Sequence, residues 1–475
     1  MTSFTKVPLS TRLGSLAARK LSDFHRFWIK SGMETLRKIS LATLAVAGMT
    51  LQGAEFIAKD VDATEKEKNW IALPYLFSTD TTGLTAGVVG IFHGYIQPQT
   101  TIVATAFGGE KYPVLEYDID NDEIYEDGEK RTYGLFAGIA GYRIPKTERL
   151  FLTAYGTYSY FPNQRIYVDG TNDSKRDLSK DHLSFSPVQT HGYNNWFRFN
   201  FRYVLPMGES KERVLPVIEL DRGLPVNREG RGGGVPFVTG QTILGSEIFY
   251  DHLSVDRFEK DPVWASNGLR LYLLHDNTDY PDNPSRGYSF KLQGSFDFGW
   301  GDSTQSWNSV DFSYSHYIST PTFSWSRQNV VAMNFWTAYS PSWDHDGNDA
   351  RVVGTHRPPV WDGPRLGGWY RMRAYDANRF NDKAALYGAI EYRVIPEYNP
   401  LYGLKWNPFP IDWFQLVAYA EVGRVNDRYN FDLLSDMKYD VGLSLRALAA
   451  KLPIRFEIAT GEEGSNMWVM IQQPF

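Results

Sequence analysis

Residues 196–203 read WFRFNFRY, an alternation of aromatic and polar side chains that decides the fold. One set of positions holds Phe197, Phe199, Phe201 and Tyr203, and the set between them holds Arg198, Asn200 and Arg202. Successive side chains of a β-strand point to opposite faces, so this stretch predicts a strand with one apolar and one strongly polar face. Residues 288–298, YSFKLQGSFDF, repeat the same pattern.

The length and polarity of these segments favour a membrane protein. Strands of about ten residues with an apolar outer face and a polar inner face are typical of transmembrane β-barrels. A soluble β-sandwich also alternates, but its strands average about five or six residues. Arginine on the inner face would also be costly in a dry core. We therefore predict an all-β fold, a transmembrane antiparallel β-barrel.

The number of strands follows from the spacing of such segments. Seventeen candidates occur, at 70–80, 84–96, 100–109, 133–144, 149–161, 194–205, 214–224, 241–253, 268–278, 286–300, 307–319, 327–340, 384–395, 414–425, 439–448, 453–461 and 466–475. Single-chain bacterial barrels have even strand numbers, short periplasmic turns and long external loops. We therefore expect 16 strands, with 241–253 projecting as a hairpin from an external connection 225–267. The stretches 110–132 and 162–193 are then external, and 341–383 is the sixth external loop.

The N-terminus carries a predicted export signal. From Met33 a short basic stretch precedes an apolar run, Ile39–Leu51, and small residues follow at Gly53 and Ala54. This order is typical of a secretory signal peptide, and the run is too short to span a bilayer as a helix. Residues 1–54 are thus a predicted leader, and 1–32 are either a wrongly assigned extension or an unusually long basic region. We expect a short periplasmic segment at 55–69 and the barrel at 70–475.

Composition excludes several classes of function. The 475 residues include no cysteine, so no disulfide framework, thiolate metal site or cysteine nucleophile exists. The nine histidines are scattered without ligand spacing, and neither a hydrolase nucleophile motif nor a phosphate-binding loop is complete. We expect no metal, no cofactor and no enzymatic activity.

The charge balance argues against a nucleic-acid partner. The chain has 49 Lys and Arg against 55 Asp and Glu, and the leader holds eight of the former and two of the latter, so the mature net charge is −12. Phosphate contacts require clustered Lys and Arg. Charge alone also fits an acidic soluble periplasmic protein, and it is the strand pattern that favours the membrane.

The last predicted strand has a recognisable terminus. Its alternating apolar residues and the final aromatic residue are Met467, Val469, Ile471 and Phe475. This pattern resembles the signal read by the bacterial barrel-assembly machinery, although Gln473 stands where an apolar residue is usual. The resemblance implies that this machinery is a partner during biogenesis.

Four motifs in the C-terminal half resemble those of BamA/TamA-type barrels, the outer-membrane-protein-85 or bacterial surface antigen superfamily. They are Asp276–Asp279 with the turn Pro284–Gly287; Gly367 and Gly368 with Met372, Arg373, Ala374 and Tyr375; Glu391–Arg393; and Tyr419–Gly423. Ala374 stands in place of the family's glycine and Glu421 in place of its aspartate. The motifs cover residues 268–475 in the family's order and spacing.

The resemblance implies a sixth loop that folds into the barrel and is fixed by an arginine. The matching positions are Arg373 with Glu421, and Glu391 as a further candidate. An arginine that is partly desolvated needs a carboxylate partner, and its planar fork suits bidentate pairing. Arg371 has the same strand parity and competes for this role. Both arginines could instead be solvated in an external loop.

The resemblance also implies a location and a function. It predicts an integral protein of the Gram-negative outer membrane, in contact with its lipids and lipopolysaccharide, that inserts or translocates a polypeptide or lipid-like client. The segment 55–69 is too short for the family's periplasmic polypeptide-binding domains, which indicates the barrel-only branch. The alternative is a passive pore or a structural surface barrel without insertase activity. Homo-oligomerisation stays open.

Overall fold

The computed structural model describes residues 69–79, 83–118, 123–168, 170–174, 187–215, 218–226, 232–254, 263–344, 355–402, 411–449 and 452–475. The predicted leader, and all of the predicted periplasmic segment except Asn69, lie outside these residues. Within them, the helices are two single 3-10 turns, Gly208–Lys211 and Phe431–Leu434. None of the described helices is long and apolar enough to cross a bilayer.

One antiparallel sheet of 16 strands dominates the structure. The strands, numbered in chain order, are β1 Asn69–Thr79, β2 Gly83–His93, β3 Thr101–Asp118, β4 Glu123–Arg143, β5 Leu150–Ile166, β6 Val188–Val204, β7 Gln241–Ser254, β8 Val263–Thr278, β9 Gly287–Asp297, β10 Trp307–Thr320, β11 Ser326–Tyr339, β12 Ala384–Pro396, β13 Ile411–Asn426, β14 Lys438–Ala449, β15 Leu452–Gly461 and β16 Gly464–Ile471. Each pairs with its neighbours in chain order, which confirms the predicted all-β class and strand number.

The two faces of the sheet differ as the sequence predicts. In β6 the side chain of Phe199 is 48% exposed, whereas Arg198 is only 4% exposed. Polar and charged groups therefore gather on the inner face and apolar groups on the outer face, the arrangement of a membrane barrel.

A cavity of about 720 Å³ lies against the inner face. Its wall includes side chains from β4 to β11, from the connection between β11 and β12, and from the C-terminal residues. The sheet therefore curves around a common interior, and charged residues such as Arg198, Glu247 and Arg270 line it.

The predicted assignment of one strand is wrong. Residues 241–254 pair with β6 on one side and β8 on the other, so they form β7 and not a projecting hairpin. The stretch 214–224 contributes no strand to the sheet; its described part pairs Leu220–Asp221 with Leu224–Pro225 in a two-residue ladder. The sequence has a proline at position 216, which lies outside the described residues, and proline has no N–H to donate to a central ladder.

The predicted external connection 225–267 is consequently also wrong. Residues 205–240, here called the crossing segment, join β6 to β7 at the end of the sheet where short turns join the other strands. One part lies near β5 and β7: Arg149, directly before β5, donates to the carbonyl of Ser210 (2.8 Å), and Gln241 of β7 donates to that of Val214 (2.9 Å).

The middle of the crossing segment lies several strands away. Leu224 packs with Ile395, Trp413 and Leu448, which belong to β12, β13 and β14. The indole N–H of Trp413 donates to the carbonyl of Gly223 at 3.1 Å. The described parts of the crossing segment therefore contact strands that are far apart in the sheet, at its short-turn end.

One other predicted loop is largely strand, and a second is strand at its two ends. β3 and β4 remain paired as far as Asp118 and Glu123, so most of 110–132 is a hairpin, with irregular register after Gly108 and Pro113. β5 and β6 extend similarly into 162–193, to Ile166 and from Val188. Polar side chains hid these extensions, because a strand that leaves the bilayer no longer needs an apolar face.

Candidate functional site

The connection between β11 and β12, residues 340–383, is here called loop 6, and its turn depends on glycine. Arg365–Leu366 pairs with Phe380–Asn381, and Gly367 lies at φ +104° directly after this ladder. A Cβ atom on Gly367 would lie 2.2 Å from the carbonyl oxygen of Asp376. Only glycine fits this position, and the turn presents the following residues to the inner face.

Arg373 lies at the centre of three carboxylates. It is completely buried, and its guanidinium lies 2.9 Å from Glu391, 3.1 Å from Glu421 and 2.8 Å from Glu457. Its backbone N–H also donates to Glu421, at 2.7 Å. The structure thus brings together the three residues suggested by the sequence, on loop 6, β12 and β13. Glu457 on β15 is a partner that sequence reasoning missed.

A second layer of arginines surrounds the same carboxylates. Arg393 lies 2.8 Å from Glu391, Arg446 lies 2.8 Å from Glu391, and Arg455 pairs with Glu457. With Asp440, whose carboxylate accepts from the N–H of Ala374 at 3.1 Å, four cations face four acids. This arginine–carboxylate network consists of Arg373, Arg393, Arg446, Arg455, Glu391, Glu421, Glu457 and Asp440, each at most 1% exposed.

The electrostatics of Arg373 follow from this geometry. Burial by itself lowers the pKa of the guanidinium, but attraction by the three glutamates outweighs burial and raises the pKa well above its ordinary value. The arginine is therefore charged at any accessible pH. Its guanidinium also lies 3.5 Å from the centre of the Tyr419 ring, a cation–π contact.

Arg371, the competing arginine, lies elsewhere. Its guanidinium carbon is 3.9 Å from the centre of the Trp336 ring, and it faces the interior cavity. The structure therefore brings Arg373, and not Arg371, to Glu421 and Glu391.

An apolar cluster supports the tip of loop 6. Met372, Ala374 and Tyr375 pack with Tyr387 and Tyr419 among other buried residues. The residue with a left-handed backbone is Met372, at φ +56°, whereas Ala374 has no positive φ. Alanine therefore occupies, without backbone strain, the position where the resemblance implies a glycine.

Trp468 is a further contact that sequence reasoning missed. Its indole N–H donates to the carbonyl of Arg373 at 2.7 Å, and its ring packs against Trp369 of loop 6. The last strand thus contacts the loop tip directly. Strand alternation could have predicted this contact: when Met467 and Val469 face outward, Trp468 between them faces inward.

The predicted turn motif is held by its first acidic residues. Asp279 accepts from the backbone N–H groups of Tyr280 (3.0 Å) and Ser285 (2.8 Å), while Asp276 accepts from that of Thr278 (2.8 Å). Gly287 has φ +97°, and a Cβ atom there would lie 2.1 Å from the carbonyl oxygen of Asn277. Pro284, which lies in the same turn, is buried and lines the cavity. The motif therefore fixes the turn that leads into β9.

The C-terminal residues depart from the prediction. β16 ends at Ile471, whose side chain lies outside the described residues, and Gln472 turns the chain at φ +75°. Phe475 then packs against Tyr317, Val330 and Ala332, with the guanidinium of Arg393 5.2 Å from its ring. It lines the cavity and so does not share the outward face of Met467 and Val469. The left-handed turn at Gln472 breaks the alternation on which that expectation depended.

We expect Phe475→Ala to lower the amount of assembled protein in the outer membrane several-fold. The purified variant should still refold in detergent, with a loss of about 1–3 kcal/mol from the lost burial. The measurements are the heat-modifiable band from isolated membranes and urea unfolding of the refolded protein. Phe431→Ala is the control, because Phe431 is 88% exposed on a loop. Equal membrane levels of the Phe475→Ala variant and wild type would count against an assembly signal at this residue.

Residues 245–466 match the model of the Omp85 superfamily domain. A search of curated protein sequences finds no match.

Solved structures with a similar fold include two CdiB proteins and one BamA. CdiB from Escherichia coli has a TM-score of 0.47 and 10% identity, covering 85% of this chain and 61% of that chain. CdiB from Acinetobacter baumannii has a TM-score of 0.45 and 10% identity, and the match covers 85% of this chain and 59% of that chain. BamA from Haemophilus ducreyi lacking POTRA domains 1-3 has a TM-score of 0.40 and 10% identity, and the match covers 90% of this chain and 76% of that chain. This chain spans less than two thirds of either CdiB chain.

Proposed function

The chain carries an Omp85 superfamily barrel domain, and from this premise we propose that it inserts or translocates a polypeptide or lipid-like client across or into the outer membrane. Omp85 barrels are integral outer-membrane proteins, transport barrels and not enzymes, and the outer membrane is the location of this chain. We propose that the client is a polypeptide chain or an amphiphile, and that it passes through the interior or along the seam between β1 and β16.

The arginine–carboxylate network is the observation that carries the proposal. Arg373 ties loop 6 to β12, β13 and β15 through Glu391, Glu421 and Glu457. We propose that this contact is a lock that holds the loop inside the barrel in one arrangement. A passive pore needs no such lock, and a buried network of eight ionisable side chains is costly unless its geometry is maintained.

The order of the strands supports a role for the seam. β1 and β16 are the first and last strands of the sheet, and β16 has only eight residues. A short edge strand that separates from its neighbour would offer unpaired N–H and C=O groups as a template for another strand. Trp468 on this strand donates to the loop tip, so movement of the lock and movement of the edge would be linked.

Single-channel conductance in planar bilayers tests the proposal, with wild type compared with Arg373→Ala. We expect small, flickering openings in the wild type and larger ones in the variant, because the proposed lock would keep loop 6 in the interior. Arg428→Ala is the matched control, since Arg428 is 79% exposed and, among the described residues, forms an ion pair with the adjacent Asp427 alone. A large, steady conductance that is indifferent to Arg373 would favour the passive pore and remove the translocase proposal.

A further inference from the structure

Most of the interior arginines that the structure describes are paired with carboxylates. On the cavity wall, Arg198 lies 2.7 Å from Asp251, and Arg270 pairs with both Glu247 and Asp362. The arginines of the network around Glu391 follow the same rule. Pairing is expected, because an unpaired buried charge is strongly unfavourable.

Arg365 and Arg371 depart from this pattern. Both belong to loop 6 and line the cavity of about 720 Å³. Within the described part of the chain, neither guanidinium lies within 4.0 Å of a carboxylate or donates a hydrogen bond to another group. Both residues therefore border a space that a ligand could occupy.

The acids nearest to these two arginines are already engaged. Asp362, which attracts Arg365, pairs with Arg270 and accepts from the N–H of Gly363 at 2.9 Å. Asp311, which attracts Arg371, accepts from the indole of Trp336 and from Gln293. The existing contacts therefore leave the two guanidinium groups under-compensated.

The two cations also repel each other. Burial lowers the pKa of Arg365 to about 10; Asp362 opposes this shift, whereas Arg371 and Arg270 add to it. Arg371 is stacked on Trp336 at 3.9 Å, which covers one face of its guanidinium but leaves the donors at its edge open. A dianion placed between the two groups would relieve the repulsion and supply acceptors for both.

We propose that the interior cavity binds a phosphate group between Arg365 and Arg371. Guanidinium groups pair bidentately with phosphate. Two guanidinium groups carry two positive charges, which match a phosphate dianion better than they match the single charge of a carboxylate. The cavity is large enough for the phosphate together with the group that bears it. The phosphate belongs either to free inorganic phosphate or to a lipid headgroup, and the site requires only the folded chain, whatever the barrel transports.

Titration calorimetry of the purified full chain in detergent tests the site with two probes. One is inorganic phosphate, and the other is phosphatidic acid in phosphatidylcholine micelles, against phosphatidylcholine alone. The test variant is Arg365→Gln/Arg371→Gln, and Arg365→Lys/Arg371→Lys retains the charge. Arg428→Gln is the control, since it removes an exposed arginine outside the cavity.

We expect wild type and the Arg428→Gln control to bind alike, and the double glutamine variant to bind at least about tenfold more weakly, because charge-assisted hydrogen bonds are lost. The lysine variant should retain part of the affinity. Binding of inorganic phosphate identifies the free ion as sufficient, and binding of phosphatidic acid alone identifies a lipid source.

Two results would overturn the site: equal binding by the double glutamine variant, or binding of neither probe by folded wild type. If the double variant does not fold, the single variants Arg365→Gln and Arg371→Gln replace it, and undiminished binding by both overturns the site equally. Because the assay measures binding alone, its failure leaves the conductance test of transport unaffected.

Discussion

The Arg373→Glu variant is expected to lose the folded, heat-modifiable form of the protein. The substitution removes the cation that three buried glutamates share and adds another acid beside them. Breaking a buried ion pair by removing one partner costs about 3–5 kcal/mol, and added repulsion should exceed this. Total stabilities of folded domains are about 5–15 kcal/mol. The measurements are SDS gels with and without heating and urea unfolding in detergent.

A milder series separates the network from general damage. Arg373→Gln and Glu421→Gln should each destabilise the protein, and the double variant should lose less than the sum, because each removes the same interaction. Arg428→Glu makes the same charge change on an exposed loop residue and should be close to neutral. If Arg373→Glu kept both wild-type stability and wild-type conductance, the lock would have no energetic role.

The sequence was sufficient where a pattern is local. The alternation at Arg198 and Phe199 depends only on strand periodicity, and the structure reproduces it. Arg373 and Glu421 could be paired because the motifs that contain them occur in a fixed order. The structure places these two side chains 3.1 Å apart.

The rest of the network depends on register, which one sequence does not reveal. Arg446 and Arg455 lie directly opposite each other on β14 and β15, a like-charge pair that would be unfavourable alone. Glu457 and Glu391 supply the compensating charges. Strand alternation shows that these residues face inward, but not that their side chains converge on Glu391 and Glu457.

The crossing segment shows a different limit. The sheet has 16 strands whether 214–224 or 241–253 is counted as the seventh strand. The direction of every later strand and the position of loop 6 are also the same in both cases. Counting therefore could not detect the error. The informative residue was Pro216, which argues against a central strand, while 241–253 contains no proline.

We expect a disulfide between Leu224→Cys and Leu448→Cys to abolish passage through the barrel. Both leucines lie in one buried cluster with Trp413, and a Cβ atom on neighbouring Gly223 would lie 2.5 Å from the side chain of Leu448. The bond would fix the crossing segment at the short-turn end of the sheet. Because the natural chain has no cysteine, the engineered pair reacts without competition.

The measurement is conductance, or transport once a client is known, in oxidised and reduced samples of the same protein. Oxidation should eliminate channel openings, and a thiol reductant should restore them, because the crossing segment must move before the interior opens at that end. Leu224→Cys alone controls for packing damage, and a gel shift reports bond formation. If the cross-linked protein conducts as well as the reduced one, the passage bypasses the short-turn end, and the seam between β1 and β16 becomes the only remaining route of those proposed.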